Sequence, residues 1–385
     1  MRVKRIKSLF CLGLILVSLL SIFAFKSWQK YDEVIAQSNE FNRINASGVV
    51  VMEGKSGRVL FSQNENTKLP MASTTKILTC ITVIENCKDL NEYVTVPEIA
   101  QGVEGSSIYL RAGEKQKVID LLYGLMLQSG NDCAVTLAYC VSGGIENFAN
   151  LMNLTAKRAG AENSNFINPH GLPNDNHYTT ALDLAKISAY AMKNPIFRQI
   201  VGTKKHVMPY PGKDYDRIIL NKNKMLSTIE GGCGIKTGYT KKAGRCLVSC
   251  VNRNGMDVIC VVLNCPMMFE DSRVLIEEAC SRYKMYELVK KESVFGAKVL
   301  NGKEDLVYLA PQQSFEYPLT EKEFNDIEVS VSEVVDLTAP VKKQSKNGKI
   351  NVYMQKQLIF SSELYTIYNV ESKTFLDKLK ELLQN

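Results

Sequence analysis

Three short groups of side chains carry most of the chemistry open to this chain: Ser73-Thr74-Thr75-Lys76, Ser129-Gly130-Asn131 and Lys236-Thr237-Gly238. Pro70 stops the loop before the first group, and the residues after Ser73 place apolar side chains at helical spacing, so Ser73 is expected to open a helix. At about 100° per residue, with Ser73 at zero, Ile84 falls at about 20°, Ile77 at about 40°, Ile81 at about 80° and Cys80 at about 340°. Thr75, Thr79 and Thr82 fall on the other side. Lys76, at about 300°, sits inside the apolar arc one turn from Ser73, where an amine can reach a hydroxyl.

Two readings of Lys76 stand side by side. It can be a long cationic side chain that snorkels out of a buried helix. Alternatively, burial lowers its pKa until it takes a proton from Ser73, a fall of roughly three units that costs about 4 kcal/mol. The other two groups weigh on the choice. Ser129-Gly130-Asn131 separates one apolar helical run (Val118, Leu121, Leu122, Leu125, Met126) from a second that begins at Asp132. Lys236-Thr237-Gly238 follows Gly231-Gly232-Cys233-Gly234-Ile235 and precedes Tyr239-Thr240. Each is weak alone, since short loops with Ser, Gly and Asn are common. The order Ser-x-x-Lys, Ser-x-Asn, Lys-Thr-Gly is a strong signal.

On these residues the chain resembles the low-molecular-mass penicillin-binding proteins, specifically the serine-type D-alanyl-D-alanine carboxypeptidases. The resemblance runs from about Gly48 to Leu288 and includes Pro70 to Lys76, Leu121 to Asp132, Asn168-Pro169-His170-Gly171-Leu172 and Gly234 to Gly244. It implies an α/β fold of the β-lactamase/transpeptidase type: an antiparallel sheet flanked by helices, with a helical cluster alongside. It also implies roles. Ser73 is the nucleophile toward the terminal D-Ala-D-Ala bond of peptidoglycan stem peptides, Lys76 its base, and Ser129 the relay to the leaving amine, aided by Lys236. Asn131 holds the substrate backbone, and the N–H groups of Ser73 and Tyr239 form an oxyanion hole beside Gly238. Thr237 and Thr240 bind the substrate carboxylate with the help of an arginine, for which Arg273 is the candidate. β-Lactam antibiotics are expected to acylate the same serine, and no cofactor is implied.

Two rival functions remain. A class A-like β-lactamase needs a route to clear the adduct quickly; such enzymes use a glutamate and a Ser-Asp-Asn loop, whereas here the loop has Gly130, and Glu146 lies in what reads as an ordinary helix. A non-catalytic wall-binding or antibiotic-sensing protein is the second rival, against which the intact Ser73, Lys76, Ser129, Asn131 and Lys236 set speaks. His170 reads as a loop histidine that holds backbone in place rather than moving protons. A Ser-His-Asp triad has no Gly-x-Ser-x-Gly elbow to support it, and three histidines with no zinc-finger cysteine spacing make no metal site.

The 385 residues allow a sizeable core and more than one domain. The net charge of +7 looks basic, but Arg2, Lys4, Arg5, Lys7 and Lys26 supply five positive charges with no acid before residue 27, which leaves +2 for the rest. That pattern is targeting, not a nucleic-acid footprint. Behind the basic start lies the apolar run Leu9 to Phe25, 17 residues that match an export signal. Its helical length of about 25 Å is slightly short of a bilayer core of about 30 Å, and both a cleaved signal and a retained membrane anchor remain open. Either way the globular part is expected outside the cytoplasm, on the outer face of the membrane or in the wall. Eleven cysteines would suit disulfides in an exported protein, but Cys80, Cys133, Cys140, Cys246, Cys250 and Cys260 sit in apolar segments where a free thiol serves as a small core hydrophobe.

The expected organisation is a signal or anchor at 1–26, a linker at 27–45, the catalytic domain at 46–290, a small β-rich domain at 291–371 and an amphipathic helix at 372–385. Strands are expected at Gly48 to Met52 and Arg58 to Ser62, then helices to about Ile200, with a capped start at Thr180 and Asp183. A hairpin over Arg245 to Asn264 turns at Asn254-Gly255, and a helix from about Asp271 to Lys290 closes the unit with Val274, Leu275, Cys280, Tyr283 and Leu288 inward. Beyond Val294, short turn-punctuated runs at Val299 to Gly302, Leu306 to Leu309, Ile327 to Val331 and Lys349 to Met354 read as strands. At the end, Phe375, Leu376, Leu379, Leu382 and Leu383 share one helical face, which can lie on a membrane or fold onto its own domain.

Overall fold

The computed structural model describes residues 44–377. The segment at 1–26 expected to direct export, the expected linker up to residue 43 and residues 378–385 of the expected C-terminal helix lie outside the described residues. Among the described residues, no helix is long and apolar enough to cross a membrane.

A five-stranded antiparallel sheet organises the first unit. Its strand order is Val59–Gln63, Gly48–Glu53, Met256–Leu263, Gly244–Arg253 and Gly232–Thr240. Side chains alternate along each strand, and here both faces are buried. Val50, Met52, Val248, Cys250, Ile259 and Val261 face a cluster of helices, while Val49, Val51, Leu247, Val258, Cys260 and Val262 face the single helix Met268–Arg282. Each such apolar side chain contributes roughly 1.5–3 kcal/mol on burial, so the sheet is a rigid platform. The hairpin turn falls at Asn254-Gly255, with φ of 51° and 79°, the left-handed pair that a two-residue type I′ turn needs.

Facing the sheet are the helices Lys76–Asn86, Val118–Leu127, Asn131–Ser142, Ile145–Arg158, Ala181–Met192 and Pro195–Gly202. Thr180 caps the fifth of these by accepting the N–H of Asp183 at 3.0 Å. The Lys76–Asn86 helix runs through the middle of the cluster and departs from the amphipathic expectation, because Lys76 to Val83 are buried all round. Of its threonines, Thr79 donates its Oγ1 to the carbonyl of Pro169 at 2.7 Å, whereas the buried Oγ1 of Thr82 has no partner among the described residues; Thr75, just before the helix, donates to the carbonyl of Ala72 at 2.8 Å. Burial pushes the thiols of Cys80, Cys246 and Cys260 up, so at neutral pH they behave as small apolar side chains.

The expected helix to Lys290 is corrected. It spans Met268–Arg282, and Lys284–Val289 is a strand paired antiparallel with Phe315–Leu319. Leu275, Ile276 and Ala279 are its inward residues, whereas Val274 is exposed. A cross-strand partner some thirty residues on wins over helical spacing, and the sequence offered no strand signal at Phe315–Leu319 to foretell it. The C-terminal unit is β-rich: a six-stranded sheet is ordered Ile327–Ser332, Lys346–Met354, Gln357–Thr366, Leu306–Pro311, Phe295–Leu300 and Leu337–Thr338. Its core holds Val289, Val307, Leu309, Ile350, Val352 and Leu364. Arg58 clamps the two units, donating to the carbonyl of Pro318, pairing with Glu323 and stacking over Tyr283 and Tyr317.

Candidate active site

Ser73 lies in a single turn of 3-10 helix, Ala72–Thr75, that feeds directly into the buried helix beginning at Lys76. The tighter turn carries the hydroxyl to the end of the helix, where the cleft is. Two glycines allow other segments to close on it. A Cβ on Gly238 would sit 3.0 Å from the Ser73 nitrogen, and one on Gly171 would sit 1.9 Å from the Ala72 carbonyl oxygen. Gly171 also has φ of +89°, so no side chain is tolerated there on either count. The backbone of the Gly232–Thr240 strand is thereby held against the Ser73 turn.

Lys76 is fully buried and its Nζ is spoken for on three sides. In the neutral form its two hydrogens go to Asn131 Oδ1 and to the His170 carbonyl, both at 2.7 Å, and its lone pair faces Ser73 Oγ at 3.2 Å. Burial holds its pKa well below the ordinary lysine value, and the charge of Lys236 lowers it further, followed by the more distant Lys222; Asp132 pulls the other way. Lys236 is also buried, donates to the Thr237 carbonyl at 3.0 Å, and is brought down to about 7, first by burial and then by Lys222. An amine so desolvated prefers its neutral form and has a free lone pair for a proton.

The Ser129-Gly130-Asn131 loop is pinned by the segment before it. Asp132 accepts from Ser107 Oγ at 2.6 Å and from the N–H of Leu110 at 3.0 Å, and Asn131 donates its side-chain amide to the Glu104 carbonyl. Gly130, whose N–H reaches the Gly124 carbonyl at 3.1 Å, leaves no room for a Cβ, which would lie 2.8 Å from Asp132 Oδ1. Ser129 is held at φ of 64°, a left-handed conformation unusual for a residue with a side chain, and its buried Oγ has no hydrogen-bond partner among the described residues.

Lys222 escaped the sequence reading. Its Nζ donates to the Gln128 carbonyl at 3.0 Å, so a third cation joins the loop beside Ser129. It arrives from a connection without a recognisable motif, and only the charge excess around the site could have pointed to it. Tyr239 is 65% exposed at the outer strand, and Thr240 Oγ1 accepts the N–H of Ala243 at 3.0 Å where the strand turns back. Arg273 lies exposed on the Met268–Arg282 helix, paired with Glu270 at 2.6 Å, one residue beyond the inward-facing Ser272.

His170 contributes its backbone. Its carbonyl receives Lys76, while its ring Nδ1 accepts the N–H of Leu172 at 3.2 Å. His177 does similar work: Nδ1 accepts the N–H of Ile167 at 3.1 Å, leaving Nε2–H to donate to Thr75 Oγ1 at 2.9 Å. Burial first, and the nearby lysine second, bring these rings down to about 3 and about 4. Both folded values lie below the unfolded one near 6.5, so the stabilisation is complete above that pH and is lost as pH falls toward 4. Each histidine is expected to remove up to about 1.4 kcal/mol of stability per pH unit in that window. Urea midpoints measured from pH 7 to pH 4 should therefore fall more steeply for wild type than for His177→Gln; equal slopes would disprove the assignment.

Residues 34–267 match the family model for D-alanyl-D-alanine carboxypeptidase, and residues 283–372 match that for the penicillin-binding protein 5 C-terminal domain. The chain belongs to the D-alanyl-D-alanine carboxypeptidase family. This carboxypeptidase is 28% identical to the D-alanyl-D-alanine carboxypeptidase DacF of Bacillus subtilis over 99% of this chain and 98% of that one. It is 29% identical to the D-alanyl-D-alanine carboxypeptidase DacC of Escherichia coli over 89% of this chain and 88% of that one. Among solved structures, penicillin binding protein 5 from Haemophilus influenzae superposes with a TM-score of 0.72 at 26% identity, covering 86% of this chain and 99% of that chain. The fold expected from the motifs, a helix-flanked sheet followed by a β-rich domain, is the one observed. The carboxypeptidase is a serine-type hydrolase with a penicillin-binding site.

Proposed function

We propose that Ser73 is the acylated residue of this carboxypeptidase and that Lys76, 3.2 Å from its hydroxyl and cut off from water, is the base that activates it. That one juxtaposition carries the reading. The Ser73 proton passes to Lys76 Nζ as Oγ attacks the carbonyl carbon of the penultimate D-alanine. The N–H groups of Ser73 and Tyr239 hold the developing oxyanion, each such donor being worth about 2.7–4 kcal/mol. Ser129 hands a proton to the departing D-alanine amine and takes in return the one Lys76 received from Ser73, with the charge of Lys236 favouring the transfer. Water then attacks the ester and frees the shortened stem peptide, and Lys76 recovers its starting state.

Gly232–Thr240 is the outer strand of its sheet, so one row of its backbone N–H and C=O groups faces the cleft. An extended stem peptide ending in D-Ala-D-Ala can pair with that row. Asn131 already spends its oxygen on Lys76 and one amide hydrogen on Glu104, so its first task is to place the base, and one hydrogen remains for the substrate. β-Lactams acylate Ser73 by the same steps. The substrate lies outside the cytoplasm; we assign export and membrane attachment to the basic start and the run Leu9–Phe25, with the C-terminal tail as a second contact.

The two lysines must hold opposite protonation states, Lys76 neutral and Lys236 charged, which bounds the working pH. The acylation rate constant for penicillin is expected to rise as Lys76 loses its proton and to fall as Lys236 discharges at about 7 in the free enzyme. Lys236→Arg, which does not discharge, should carry the falling limb upward. An unmoved limb would show that another group titrates there.

A further inference from the structure

We propose that a tyrosine-lined groove beside the Ser129 loop is a saccharide subsite, which holds the N-acetylated sugar at the head of the stem peptide while the D-Ala-D-Ala end lies at Ser73. The groove has a volume of about 440 Å³ and is lined by Ser107, Tyr109, Gln128, Tyr210, Tyr215 and Asp216. It is continuous with the catalytic loop: Gln128 directly precedes Ser129, and Ser107 Oγ donates to Asp132 Oδ2 at 2.6 Å. The three residues between the sugar and the penultimate D-alanine span at most about 11 Å when extended, a length that suits a groove beginning next to the relay serine. Contacts made there, away from the scissile bond, supply binding energy that a short peptide lacks.

Tyr109 carries the argument. Its φ of 62° is a left-handed conformation that a bulky residue rarely adopts, and its ring is 78% exposed, so burial gives nothing back for the strain. The backbone is held there from both sides. Its N–H donates to Ser107 Oγ at 2.8 Å, and its carbonyl accepts Nη2 of the buried Arg217 at 3.2 Å, a guanidinium that also pairs with Glu114 at 2.9 Å. Tyr215, 59% exposed, meets Tyr210 edge to face with ring centres 5.8 Å apart, and Tyr210 is itself wedged between the guanidinium groups of Arg217 at 3.7 Å and Arg111 at 5.3 Å. Two tyrosine rings with open faces therefore stand on a fixed wall. A hexopyranose matches them with an apolar C–H face that stacks on a ring and a polar rim that needs hydrogen bonds. The groove holds partners for that rim: the exposed Asp216 carboxylate has no hydrogen bond or ion pair among the described residues, and neither has the buried Nε of Arg217. Its charges balance, Arg217 against Glu114 and Arg111 against Asp216, which favours an uncharged polar occupant over a charged side chain of the stem.

This inference rests on the acyl-enzyme reading of Ser73, and the test keeps the two apart. D-Alanine release is measured for a stem pentapeptide carrying the N-acetylated disaccharide and for the same pentapeptide without sugar, with saturation labelling by a fluorescent penicillin as the count of folded sites. Wild type should show kcat/KM roughly 10-fold higher on the sugar-bearing peptide, the return expected from two aromatic faces. Tyr109→Gly, which suits the left-handed backbone, and Tyr215→Ala should each cut that advantage by roughly 3-fold, and the double variant should abolish it. Tyr215→Phe should retain it. The proposal is overturned if wild type shows no advantage, if the double variant keeps it, or if the variants slow the bare pentapeptide as much as the sugar-bearing one, which would put the stem itself in the groove. Calorimetric binding of both peptides to Ser73→Ala reads the groove without turnover. Tighter binding of the sugar-bearing peptide there, with no release from either by wild type, would sink the acyl-enzyme reading and leave the subsite standing; equal affinities would overturn the subsite.

Discussion

Ser73→Ala is expected to lower D-alanine release by about 10⁶-fold and to abolish covalent labelling by penicillin, the scale seen when the nucleophile of a serine hydrolase is removed. No other hydroxyl near the site can take over. Thr74 and Thr75 donate their Oγ1 to the carbonyls of Met71 and Ala72, and Thr75 also meets His177. Ser129 has a free Oγ but no amine donating to it. The substitution removes one half-exposed oxygen from a turn whose backbone is fixed by Gly171 and Gly238, so the thermal midpoint should stay within a degree or two of wild type. Labelling that persists in the variant would mean that another residue is acylated.

Lys76→Ala is expected to cut acylation by about 10²–10⁴-fold, the usual worth of a positioned general base. The stability effect is a balance of opposing contributions. Asn131 Oδ1 and the His170 carbonyl each lose a buried donor, which costs about 1–3 kcal/mol apiece. Against this, the folded state no longer has to keep an amine out of water. A variant that is folded by circular dichroism yet slow to acylate, and whose rate is partly restored by adding methylamine, would identify the amine as the missing part. A folded variant that acylates at the wild-type rate would show that Lys76 only fills the core.

The pairing of Ser73 with Lys76 was legible because it is local: a spacing of three on a helix sets the distance whatever the rest of the chain does. The motif loops at Ser129 and Lys236 were legible by their residue types and order. The Asn254-Gly255 turn was legible because its left-handed φ values demand those residues. Long-range pairing was not. The strand Lys284–Val289 looked like the tail of a helix until its partner Phe315–Leu319 was in place. Thr79 and Thr82 looked like a solvent face, although the helix is covered on every side. Lys222 enters from a loop with no motif.

The most direct test of the central claim is to map the penicillin adduct by mass spectrometry after tryptic digestion. The account predicts a single modified peptide, Leu69 to Lys76, with the mass of the opened antibiotic on Ser73. An adduct on the peptide that carries Ser129, or none on a folded protein, would contradict it.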